Sequence, residues 1–203
     1  MNDGNLFGPT GLAITGNTLY ITDQFDNQLV IYDISVPTDP IFVRKISEED
    51  FPVGLNDPTG LAITGNILYV SNQFDSNVGI FDISSPTFPS FVGQVNGGNL
   101  NGPTGLATTD TTLYAANFNN STVEIYDSTT PNDPIHVGEF GAGDLSGPQG
   151  LAITGTTLYA ANFNNNTVEI YDSTFPSDPV RIRDFGAGIL NGPFGLAIFT
   201  VGG

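Results

Sequence analysis

Cysteine is absent from the 203-residue chain, which removes disulfides, thiolate catalysis and Cys-type zinc sites together. Basic residues are nearly absent too. Four Lys and Arg stand against 21 Asp and Glu, giving a formal charge of −17 at pH 7 and a pI near 4.1. Repulsion of phosphate by that field argues against nucleic acid and anionic membrane surfaces as partners. No apolar run reaches the roughly 18 residues of a membrane span. Met1 is followed by Asn-Asp-Gly instead of a basic and then an apolar segment, so neither a span nor a signal peptide is expected. Charged residues make up only 12% of the chain, and Gly, Asn, Thr and Ser carry much of the polar surface, so disorder driven by charge is not expected.

What the chain has in abundance is repetition. Gly8-Pro9, Asp57-Pro58, Gly102-Pro103, Gly147-Pro148 and Gly192-Pro193 each open the string Pro-x-Gly-Leu-Ala, and the prolines are 49, 45, 45 and 45 residues apart. The first interval is longer because of an acidic insertion around Ser47-Glu48-Glu49-Asp50. Within a period the apolar residues fall into four short runs separated by turn chemistry, which suits strands and leaves no room for a helix. In the third period these runs are Gly105-Leu-Ala-Thr108, Leu113-Tyr-Ala-Ala116, Val123-Glu-Ile-Tyr126 and Ile135-His-Val-Gly138. Four strands per period, joined by short connections, predict an all-β chain of four-stranded antiparallel blades in a β-propeller. A parallel β-helix would have shorter coils and would not need four turn signals per period.

Repeats at about 8–56, 57–101, 102–146 and 147–191, with a partial one at 192–203, place residues 1–203 in one propeller domain or segment. Four blades are complete, and Gly195-Leu-Ala-Ile-Phe-Thr-Val201 reads as the first strand of a fifth. An open arc would leave apolar blade faces in water. The expectation is therefore a partial ring that an oligomer or a longer chain completes, if it is not a compact four-blade ring with a surplus strand.

The stretch Leu19-Tyr-Ile-Thr-Asp-Gln-Phe-Asp-Asn-Gln-Leu-Val-Ile-Tyr-Asp-Ile-Ser-Val-Pro-Thr-Asp-Pro-Ile41 resembles the LVIVD-type repeat of bacterial and archaeal surface proteins. Leu158-Tyr-Ala-Ala-Asn-Phe-Asn-Asn-Asn-Thr-Val-Glu-Ile-Tyr-Asp172 is similar to the YVTN type, and the Gly-Pro-x-Gly-Leu-Ala openings resemble NHL repeats. The resemblance implies blade architecture and a bacterial surface or secreted setting, hence an extracellular or cell-surface location. It implies no particular chemistry.

In a propeller the B-to-C and D-to-A connections share one face. The B-to-C loops set Asp23, Asn72, Asn117 and Asn162 at the ends of the B strands, with Asp26, Asp75, Asn120 and Asn165 three residues later. Oxygen-rich groups around a common axis can hydrogen-bond sugar hydroxyls or hold Ca²⁺, and Phe25, Phe74, Phe118 and Phe163 offer apolar platforms beside them. The same residue types also suit tight turns without any ligand. Asp33, Asp82, Asp127 and Asp172 close the C strands ahead of Pro37, Pro86, Pro131 and Pro176, where they are expected to accept local backbone N–H groups.

The single histidine, His136, occupies a D-strand position held elsewhere by Phe42, Phe91 and Arg181. One peripheral histidine and no cysteine allow neither a Ser-His-Asp nor a Cys-His arrangement, so no catalytic residue and no resident metal are assigned. Arg44, Lys45, Arg181 and Arg183 lie on D strands, where edge charges oppose edge-to-edge pairing. The expected function is a non-catalytic scaffold or recognition module that binds a small molecule, glycan or protein. The alternatives are a Ca²⁺-dependent hydrolase resembling a lactonase, and a purely structural segment of a larger propeller.

Overall fold

The computed structural model describes residues 5–47, 50, 54–95 and 98–198. Four antiparallel sheets of four strands account for its regular structure. The first blade is β1 (Pro9–Thr15), β2 (Thr18–Asp23), β3 (Gln28–Asp33) and β4 (Ile41–Ile46). The second is β5 (Pro58–Thr64), β6 (Ile67–Asn72), β7 (Asn77–Asp82) and β8 (Ser90–Val95). The third is β9 (Pro103–Thr108), β10 (Thr112–Asn117), β11 (Thr122–Asp127) and β12 (Ile135–Phe140), and the fourth is β13 (Pro148–Thr154), β14 (Thr157–Asn162), β15 (Thr167–Asp172) and β16 (Val180–Phe185). Each sheet is a meander in chain order, as the four-run period predicts.

Local sequence sets the corners. Thr15 pairs with Thr18 across a two-residue turn, and Gly16 takes φ +53° there at no steric cost, matching the right-handed twist of the hairpin. At the other end of the hairpin Pro9 pairs with Asp23 while Leu12 pairs with Ile21. Thr10 and Gly11 therefore oppose Thr22 alone, a bulge that recurs in the A–B pair of every blade.

The bulge carries the glycine of Pro-x-Gly-Leu-Ala toward the axis. A Cβ on Gly11 would lie 2.1 Å from the Thr59 carbonyl oxygen, one on Gly60 2.1 Å from that of Thr104, and one on Gly105 2.1 Å from that of Gln149. The innermost strands β1, β5, β9 and β13 pack backbone to backbone in sequence because those positions have no side chain. Away from the axis the interfaces are apolar. Between the first two blades Tyr20, Leu29, Ile31 and Ile46 pack on Leu68, Val70 and Phe81, all essentially buried. Each such side chain contributes about 1.5–3 kcal/mol by leaving water.

A hydrogen bond from each blade to the next fixes the angle. The hydroxyls of Tyr20, Tyr69 and Tyr114 donate to the carbonyls of Pro86, Pro131 and Pro176 at 2.7, 2.7 and 3.2 Å. Burial pushes the phenols of Tyr20 and Tyr69 up to about 12, which keeps them protonated donors.

The fifth repeat departs from expectation. Residues 195–198 form no strand, because no B strand pairs with them among the described residues, and 199–201 lie outside those residues. Residues 194–196 instead run beside β13, with the Phe194 carbonyl oxygen 2.5 Å from a Cβ built on Gly150.

Candidate functional site

Every A strand begins where a B strand ends, so the D-to-A lead-ins and the B-to-C loops form one face. Backbone bonds join them: Gln24 N–H donates to the Gly8 carbonyl at 2.9 Å, Gln73 to Asp57 at 3.1 Å, Phe118 to Gly102 at 3.2 Å and Phe163 to Gly147 at 3.3 Å. Positive φ falls on the fifth loop residue, Asn27, Ser76, Ser121 or Asn166, at 52–59°, and not on the two Asn/Asp positions singled out by sequence.

Asp23, Asn72, Asn117 and Asn162 lie together on this face, but all four are fully buried. The Asp23 carboxylate accepts the Gly8 and Phe7 N–H groups at 2.7 and 3.1 Å. Asn117 accepts from Asn101 N–H at 2.6 Å and donates to the Asn99 carbonyl at 2.8 Å, and Asn162 does the same with Ser146 and Asp144 at 2.6 and 3.0 Å. Asn72 donates to Asn77 Oδ1 at 2.8 Å. Asp23, Asn117 and Asn162 clasp the lead-ins to the B strands, Asn72 bonds among the described residues only to the C strand of its own blade, and none of the four is exposed.

The second position of each loop is outward. Asp75 accepts from Asn56 Nδ2 at 2.9 Å, and Asn120 accepts from Asn101 Nδ2 and donates to the Asn99 carbonyl, both at 3.0 Å. Asp26 and Asn165 make no side-chain bond to another described residue, and Asn165 is exposed. Asn119 and Asn164, also exposed, bond to Asn101 Oδ1 and Ser146 Oγ at 3.0 and 3.4 Å. Sequence reasoning passed over Asn56, Asn101, Asn119 and Asn164, although Asn and Ser accompany the lead-in proline in most periods. The aromatic platforms divide. Phe25 and Phe74 stand 75% and 74% exposed, whereas Phe118 and Phe163 are half-buried against Gly147 and Gly192.

At the centre of the disc an open cavity of about 350 Å³ is lined by the five Pro-x-Gly-Leu-Ala segments, through Thr10, Thr59, Thr104, Gln149 and Phe194 and the Gly-Leu pair after each. Among the described residues its lining contains no Asp, Glu, His, Lys, Arg or Tyr. The threonine hydroxyls are engaged as well, donating to the Pro58, Pro103 and Pro148 carbonyls at 3.2, 3.3 and 2.9 Å. Nothing in that lining can exchange a proton near neutral pH.

Titratable groups gather elsewhere. Glu124 is fully buried on β11, with Oε2 2.8 Å from His136 Nε2 and Oε1 3.1 Å from Asn117 Nδ2. Burial, and then the neighbouring Glu139, push the Glu124 carboxyl above its ordinary value. In the fourth blade Glu169 pairs instead with Arg181 Nε at 2.8 Å. His136 thus serves as an internal partner to a buried carboxylate. On the opposite face Asp33, Asp82, Asp127 and Asp172 accept from the N–H two residues on, at 2.7, 2.7, 2.9 and 2.8 Å; these bonds, and at Asp172 first of all the one from the Thr174 hydroxyl, hold their carboxyls below the ordinary range. Among the described residues no three His, Asp or Glu side chains are grouped to hold a metal ion.

Four meandering sheets packed about an axis, with their loops gathered on one face, define a β-propeller. Residues 10–47 and 57–97, which cover the first two blades, match the LVIVD repeat. The fold of the chain is similar to that of a candidate 6-phosphogluconolactonase from Bacteroides fragilis, at 17% identity and a TM-score of 0.74 over 92% of this chain and 56% of that one. It is also similar to the periplasmic gluconolactonase of Pseudomonas aeruginosa, at 12% identity and 0.68 over 92% and 55%. The computationally designed Ika4 protein is similar at 16% identity and 0.60 over 85% and 95%. The chain spans little more than half the length of the two bacterial proteins. No curated protein matches it in sequence.

Proposed function

We propose that the chain is a non-catalytic recognition module that binds a neutral, hydroxyl-rich ligand of the glycan class on the face of the B-to-C and D-to-A loops. The observation that carries this reading is the pairing on one face of outward carboxamides and carboxylates, among them Asp75, Asn120 and Asn165, with the exposed rings of Phe25 and Phe74. Amides supply donors and acceptors to vicinal hydroxyls, and an exposed ring stacks on the apolar face of a pyranose. A net charge of −17 favours an uncharged ligand over an acidic one. An extracellular or surface location accords with such a ligand.

Binding is tested on an array of neutral glycans, followed by calorimetry on any hit with Phe25→Ala and Asn165→Ala. Both variants should weaken binding without changing the melting temperature. Absence of any hit, or affinities unchanged in both variants, refutes the reading. The fold likeness to lactonases is the specific reason to keep a second reading, hydrolysis of a sugar lactone. Incubation with gluconolactone and 6-phosphogluconolactone, with and without Ca²⁺, discriminates, since turnover above buffer that Asp26→Asn abolishes would favour it.

A further inference from the structure

Each blade makes the same one-way contacts with its successor, and two faces of the chain hold the unanswered halves of them. The B-strand tyrosine of one blade donates to the proline carbonyl in the C-to-D turn of the next in three successive cases. Tyr159, fourth in that series, has no such acceptor among the described residues, and the Pro37 carbonyl of the first blade receives no such donor. The exposures agree. Tyr20, Tyr69 and Tyr114 are fully buried, whereas Tyr159 is only half-buried. On β4 and β8 Ile46 and Val95 are 1% and 3% exposed, but Phe185, their counterpart on β16, is 47% exposed. On the opposite side of the arc Leu12 is 66% exposed, while Leu106 and Leu151 are 5% and 6%.

The occupant that fits both faces is written in the chain itself. The trailing face of blade four repeats the surface that blades one to three use to receive a successor, and the leading face of blade one repeats the surface that the later blades present. We propose that a second copy of this chain docks head to tail, its first blade against β13–β16 and its fourth blade against β1–β4, so that two copies close one ring of eight blades. The contact is heterologous at each seam, and the two seams are related by the pair's twofold axis. It would bring the Tyr159 hydroxyl to the Pro37 carbonyl of the second copy and the Gly150 backbone to its Thr10 carbonyl.

Residues 193–198 now hold that innermost place, and they hold it loosely. They form no strand, the Phe194 oxygen stands 2.5 Å from the Gly150 Cβ position where the three true seams have 2.1 Å, and Gly195 meets nothing within 4 Å among the described residues. They would yield to β1 of the second copy. The outer half of the leading face is already covered, since Ile21 and Val30 are 6% and 0% exposed, so the new contact is concentrated on the strip that Leu12 and Ile14 expose near the axis.

Size-exclusion chromatography with light scattering on the full chain tests this. The expected result is a discrete species of twice 21.4 kDa that tightens with added salt, because each copy carries −17. Leu12→Asp should raise the dimer dissociation constant at least about tenfold. The melting temperature of the dilute monomer should not change, since that side chain already faces water. Deleting residues 192–203 should leave the dimer intact or tighten it. Four results overturn the proposal: a monomer at the highest soluble concentration in high salt, open-ended polymers, aggregation without a discrete species, or a dimer indifferent to Leu12→Asp. A longer natural chain that supplies its own further blades would give the monomer.

Discussion

Replacing Gly60 by alanine puts one methyl group into the tightest contact of the fold. Its carbon would sit 2.1 Å from the Thr104 carbonyl oxygen, 3.0 Å from the Gly105 Cα and 3.0 Å from Ser71 Oγ. Two of these atoms belong to the backbone of a strand paired along its length with β10, so neither can rotate away. The blades must separate by about an ångström at the axis, and overpacking of this kind costs about 1–3 kcal/mol. The rigid backbone on both sides argues for about 3. For a chain of this size each kcal/mol lowers the melting temperature by about 2–4 °C, so a fall of about 6–12 °C is expected. Gly195→Ala is the matched control, because a Cβ there meets nothing within 4 Å among the described residues. Thermal unfolding followed by circular dichroism reads both variants. If Gly60→Ala melts within 2–3 °C of the parent, or no lower than Gly195→Ala, the backbone-to-backbone account of blade spacing is wrong.

Tyr69→Phe keeps the buried ring and removes only the donor to Pro131, so a loss of about 1 kcal/mol, read as a fall of about 2–4 °C in the melting temperature, is expected. Acid should act through the C-strand carboxylates. Asp82 and Asp127 titrate below their ordinary 3.8 because the backbone N–H groups of Ser84 and Thr129 favour the charged form. Their stabilisation is therefore present above that value and is lost as pH falls through the lowered one. The double variant Asp82→Asn, Asp127→Asn should flatten the decline in melting temperature between about pH 5 and pH 3, and an unchanged acid limb would contradict the assignment.

The blades were legible in the sequence because their causes are local. Apolar runs of strand length, hairpin glycines and turn prolines recur at one period, and the strands of the third blade extend only one or two residues past the runs read for it. What the candidate residues do was not legible, because it depends on which backbone lies beside them. Asp23 and Asn117 have the right chemistry for a ligand, yet a lead-in that precedes each by about 16 residues takes their hydrogen bonds. Glu124 reads as an ordinary strand residue until the neighbouring strand sets His136 against it. Tyr20, Tyr69, Tyr114 and Tyr159 recur at the same intervals as the prolines, a signal of a repeated role that becomes clear only when the acceptors one blade on are seen.

The tyrosine bonds join residues far apart in time as well as in sequence. Tyr20 finds its acceptor 66 residues later, at Pro86. At about 5–20 residues per second of synthesis, that wait is roughly 3–13 s. During it the first blade can form its hairpins but cannot cover its apolar side, because the cover has yet to be made. The second and third blades each wait for 62 residues. A growing chain of this design always carries one wet blade face at its leading end, and a surplus of 17 negative charges helps to keep neighbouring nascent chains from meeting there.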